Sequence, residues 1–174
     1  MRRFGLPLLA GFLFLILQTT LLSSFPVRMI RPDILLLFTL YLAFLFPPAF
    51  GGILAFLLGY LMDLYSGTAM GFYTFSRSLV FFAAWFFKEQ FYVEGFSSQF
   101  LFAFLSSLFE GMLILILMNT LQSVSLRNLF LPLLTFLLPQ SIFTGLVAPV
   151  LFFLFQKGSS FLFFHPEKGV KERI

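Results

Sequence analysis

The sequence predicts an all-α integral membrane protein, a single domain built as a bundle of about six transmembrane helices. Three observations lead there. The 174 residues are 60% hydrophobic and 10% charged, against about 45–50% and about 25% in a soluble domain. So apolar a chain cannot cover itself with polar groups in water. Its apolar residues also gather into runs, several near the length of about 17–25 residues that a spanning helix needs, and proline, glycine and polar clusters separate those runs.

The first predicted span covers residues 4–24. Its start, "MRRF", resembles the n-region of a signal peptide. The apolar run is longer than a signal h-region, however, and "LLSSFP" offers no A-x-A cleavage site, so it reads as a retained helix. Pro26 and Pro32 bracket the loop "PVRMIRP". The second span, 33–46, stops at Pro47-Pro48. It is short for a bilayer, hence tilted, re-entrant or extended by its loops. The third span, 49–64, runs into the loop "YSGTAMG", and the fourth, 72–87, into the polar "KEQFYVEG". The fifth span is 98–121, followed by "QSVSLRN". Pro132, Pro139 and Pro149 then interrupt the apolar pattern. There, 129–138 reads as a short interfacial or re-entrant helix, with membership of a span left as the alternative, and 140–156 as span six. Residues 157–174 read as a cytoplasmic tail.

Six spans place both termini on one side of the membrane. On that side lie Arg2, Arg3, Lys88, Lys157, Lys168, Lys171 and Arg173, and on the other Arg28, Arg31 and Arg127. Seven basic residues against three favour cytoplasmic termini. The same reading accounts for the net charge of +4 without nucleic acid, for which no basic cluster interleaved with aromatics is present. The absence of cysteine excludes disulfides and thiolate metal sites. The lone His165 falls in the polar tail, and one histidine does not make a metal site. The 30 phenylalanines are as acceptable to lipid as leucine.

Three ionisable residues fall within or beside the spans: Asp63 at the end of span three, Arg77 in span four and Glu110 near the middle of span five. Each costs about 2.5–3.5 kcal/mol at a helix centre, so each is expected to face the interior or to pair. Gly51, Ala55, Gly59 and Asp63 recur every four residues and share one helix face, where small residues let another helix approach. Asp63 lies at a helix C-terminus, where the dipole disfavours an anion and a nearby cation would offset the cost. By helical rise, Arg77 lies roughly 9 Å and Glu110 roughly 16 Å from the outer end. The sequence therefore predicts an Asp63–Arg77–Glu110 polar cluster. The competing reading leaves Asp63 in water and lets Arg77 snorkel to the interface.

Catalysis is not expected. Ser106 and Ser107 neighbour Glu110, but no histidine or lysine lies at a matching depth to act as base. H-E-x-x-H, G-x-S-x-G and glycine-rich phosphate motifs are absent. Asp33 and Asp63 are both at helix ends, which argues against an intramembrane aspartate dyad. No cofactor is expected either.

The stretches "RPDILLLFTLYLAF" and "GGILAFLLGYLMDLYSGTAMGFYTF" resemble the MreD family of bacterial rod-shape-determining membrane proteins. The resemblance rests on Pro32-Asp33 opening the second helix, on Gly59 and Asp63 closing the third, and on the turn with Ser66, Gly67 and Gly71. It covers roughly residues 31–75; Arg77 and Glu110 fall outside it. It implies a non-catalytic, multi-pass protein of the bacterial cytoplasmic (inner) membrane. It further implies membership of the cell-wall elongation machinery, with an MreC-like single-span partner and, through it, the MreB filament and the RodA/transpeptidase synthase. It also implies a fold similar to the substrate-binding subunits of energy-coupling-factor vitamin transporters. Such a subunit is the alternative function. Those subunits dock their coupling partner through Ala-x-x-x-Ala on the first helix, whereas here Ala10 is followed four residues on by Phe14.

Overall fold

The computed structural model describes residues 2–23, 32–66, 71–88, 95–122 and 133–162. Among these the chain forms six helices and no strands: α1 (Arg2–Ser23), α2 (Ile34–Leu45), α3 (Pro48–Ser66), α4 (Phe72–Phe87), α5 (Phe96–Gln122) and α6 (Leu138–Leu162). A π-helical turn, Leu133–Leu137, leads directly into α6. Three stretches, Pro48–Ser66, Phe96–Thr120 and Thr135–Gly158, are helices long and apolar enough to cross a membrane.

The centre of the bundle is α2, which every other helix touches. Its sequence, ILLLFTLYLAFL, is apolar on all sides, the pattern of a helix buried all round. Eight of its 12 residues are buried. The breaks on either side follow from proline chemistry. Phe46 precedes Pro47 and takes the extended conformation that such a residue is pushed into. Pro48 then opens α3, at the position where a missing N–H costs nothing.

Around α2 the helices pack through two devices. The first is aromatic: Phe14 of α1, Phe38 of α2 and Phe155 of α6 meet with ring centroids 5.0–5.5 Å apart, and Tyr41 adds to Phe155 at 5.6 Å. The second is close approach at glycine. A Cβ at Gly51 would lie 2.3 Å from the Phe81 ring, and one at Gly59 would lie 2.7 Å from the backbone of Tyr73 and Thr74. Thus the face of Gly51, Ala55, Gly59 and Asp63 is buried, and α4 lies against it. Similarly, Gly145 of α6 meets Phe100 of α5. The outward sides of α1, α3, α4, α5 and α6 carry exposed Leu, Ile and Phe, among them Phe12, Phe56, Phe86, Ile116 and Phe153. A surface this apolar suits lipid rather than water.

Two expectations are corrected. The segment 129–138 is not a helix separate from span six: residues 133–137 form the π turn that continues into α6, and 129–132 lie outside the described residues. Pro139 supplies the physical reason. It has no N–H, and its ring crowds the carbonyl four residues back; a wider turn ahead of it absorbs both. The predicted tail likewise begins as helix, since α6 continues through Gln156 and Lys157 to Leu162.

Candidate functional site

The polar residues converge at one end of the bundle, where α2, α4 and α6 begin and α1 and α3 finish. Three elements satisfy the first N–H groups of α2, which have no partner within their own helix. Asp33 is the N-cap: its Oδ1 accepts from the Leu36 N–H at 2.9 Å. Gln18 of α1 accepts from the Leu35 N–H at 3.1 Å. The Asp33 N–H itself donates to Thr144 Oγ1 of α6 at 3.2 Å.

The second oxygen of Asp33 is left for a cation, and Arg77 of α4 provides it. Arg77 Nη2 donates to Asp33 Oδ2 at 2.6 Å. On its other side Arg77 Nε lies 2.8 Å from Glu110 Oε1 of α5. This second contact is an ion pair by distance, without the alignment of a hydrogen bond. Arg77 is fully buried at 0% exposure, with Glu110 at 4% and Asp33 at 6%. Three helices are therefore joined by charges largely withdrawn from solvent. Removing one member of such a set costs about 3–5 kcal/mol, because its partner is left charged and unpaired.

Asp63 does something else. Its carboxylate accepts from the N–H groups of Gly71 (3.0 Å), Tyr73 (2.9 Å) and Thr74 (2.9 Å), and from the Thr74 hydroxyl. An acid of α3 thus caps the N-terminus of α4. The unfavourable position of Asp63 at its own helix end is offset by the amides and positive dipole end of the next helix, not by a side-chain cation. Gly71, at φ +106°, makes the turn into α4 in a conformation that suits glycine.

The predicted Asp63–Arg77–Glu110 cluster is accordingly corrected in one member: Asp33 stands where Asp63 was expected. Asp63 meets α4 at its first turn and takes up four donors there, whereas Arg77 lies a turn further along. Of the turn residues, Ser66 ends α3 and Gly67 lies outside the described residues. Pro32, half-buried, precedes the α2 cap. Thr144, Gln18 and Thr74 were not singled out from sequence; a lone hydroxyl or amide in an apolar run was the available signal.

Beside the ion pairs lies a cavity of about 480 Å³, with Asp33, Glu110, Gln18, Tyr73, Ser107 and Gln140 among its lining residues. No group of three His, Cys, Asp or Glu side chains placed to hold a metal occurs among the described residues. The arrangement is built to fix helices against one another.

Fold and site together define a helical membrane protein with an apolar exterior and an internal charge network. The family model described as "rod shape-determining protein MreD" matches residues 2–158. The chain belongs to the MreD family and is a rod-shape-determining membrane protein. No curated protein and no solved structure matches it.

Proposed function

We propose that the chain is a non-catalytic scaffold of the machinery that elongates the cell wall. In this reading it resides in the bacterial inner membrane as a multi-pass protein with both termini cytoplasmic. It holds an MreC-like single-span partner, and through that partner the MreB filament and the RodA/transpeptidase synthase.

The observation that carries the reading is the family match along nearly the whole chain. The distribution of chemistry supports it. The acids and the arginine of the bundle are turned inward and tied to one another or to helix N–H groups. The outward faces are apolar. Helices in lipid associate through close packing and a few buried polar bonds, so a rigid apolar exterior suits a single-helix partner.

Co-purification tests this. A tagged full-length chain extracted in mild detergent is expected to retain an MreC-like partner. Retention of an ATPase coupling module instead would overturn the scaffold in favour of a transport subunit.

A further inference from the structure

We propose that the cavity beside the ion pairs binds a small molecule carrying a protonated amine. Its volume of about 480 Å³ falls within the range of about 300–1,000 Å³ found for small-molecule sites. Among the described residues, the only charged side chains that line it are two acids, Asp33 and Glu110. Arg77 contacts both acids but does not line the cavity. One guanidinium facing two carboxylates leaves a formal charge of −1 on the group.

Glu110 also has acceptor capacity to spare. An ionised carboxylate offers about four lone-pair sites, yet Glu110 Oε1, in a side chain only 5% exposed, receives no hydrogen bond. Arg77 touches it from one side at ion-pair distance only. An uncompensated charge in an apolar bundle is costly, and a ligand cation entering the cavity offsets it.

The shape of the lining selects the kind of cation. A bare divalent metal wants several converging oxygen ligands, and no group of three acidic or imidazole side chains is present among the described residues. An ammonium group brings three donors, enough for the two acids and a hydroxyl such as Ser107. The rest of the wall is mixed: Gln18, Tyr73, Gln140 and Ser141 add polar groups, and Ile114, Leu115 and Phe136 form an apolar side that takes a carbon skeleton. The ligand is therefore an organic amine, either free or as the headgroup of a membrane lipid.

The test uses the purified full-length chain in a neutral detergent, with hexylamine as probe and hexan-1-ol as its uncharged counterpart. Hexylamine is expected to raise the thermal unfolding midpoint saturably, and hexan-1-ol is not. Glu110→Gln should weaken hexylamine about tenfold or more, as loss of one charge-assisted hydrogen bond does. Because Glu110→Gln also disturbs the pairing with Arg77, Ile114→Trp serves as a second variant. It narrows the cavity one helical turn from Glu110, leaves the three charges in place, and should weaken the hexylamine response. Equal responses to amine and alcohol, or an unchanged response in Ile114→Trp, would overturn the proposal. In nanodiscs, stabilisation by phosphatidylethanolamine over phosphatidylglycerol, weakened in Ile114→Trp, supports the lipid source. A response to hexylamine without that lipid preference supports the free amine.

Discussion

At the scale of single residues, the two acids Asp33 and Asp63 illustrate how position decides role. Both accept from helix N–H groups, but Asp33 caps its own helix and keeps an oxygen for Arg77. Asp63 caps the next helix. Their variants should differ accordingly. Arg77→Leu strands two buried carboxylates and is expected to cost about 3–5 kcal/mol, read as a large fall in the unfolding midpoint. Combining it with Asp33→Asn and Glu110→Leu should restore most of the loss, since a buried ionic group exchanged whole for neutral ones is often close to neutral in stability. Asn also remains a good N-cap. If the triple variant were no more stable than Arg77→Leu, the ion pairs would not be the cause. Asp63→Ala leaves three N–H groups without their acceptor and should cost at least about 2 kcal/mol. Asp63→Asn should fall between, because its oxygen still accepts while the attraction of a full charge to the helix dipole, about 0.3–1 kcal/mol, is lost. The need for a counter-charge to Arg77 and Glu110 was legible in the sequence, because buried charge requires pairing. The choice of Asp33 was not. Pairing across 44 residues depends on how α2 and α4 pack, which periodicity along one helix does not encode.

At the scale of elements, the α3–α4 hairpin carries the clearest constraint. Gly59 meets backbone, at 2.7 Å from a Cβ position, whereas Gly11 of α1 meets only the side-chain tip of Leu58. A side chain can move aside and a helix backbone cannot. Gly59→Ala should therefore destabilise clearly more than Gly11→Ala, within the roughly 1–3 kcal/mol usual for overpacking. Paired melting curves would check the order. Gly59→Leu should go further and lower the yield of the assembled complex and disturb rod shape; normal values of both would count against a packing role. The helices themselves were legible because apolar runs and prolines mark them directly. The π turn at Leu133–Leu137 was not, since prolines on either side suggest a break, and only the packed structure shows the chain continuing through Pro139. The end of α6 was obscured for a similar reason: Gln156 and Lys157 look like a boundary, but polar residues are tolerated in a helix that has left its apolar surroundings.

At the scale of the whole molecule, the charges are drawn inward to tie helices together and the exterior is left apolar. An exposed substitution on the apolar exterior, such as Phe86→Ala or Phe153→Ala, should leave the unfolding midpoint nearly unchanged. A drop in co-purified partner without a drop in stability would locate the docking face, while a parallel drop in both would assign the residue to the bundle instead. The central helix has one more consequence, which concerns how the protein is made. At 12 residues, α2 is about 18 Å long, well short of the roughly 30 Å hydrocarbon core. It also begins with an acid whose cation belongs to α4 and a cap whose partner belongs to α6. During synthesis, α2 emerges long before either exists. A chain that ends before Thr144 leaves the start of α2 without its α6 partner, so it is expected to be degraded faster than the full-length chain, which a pulse-chase comparison of the two would check.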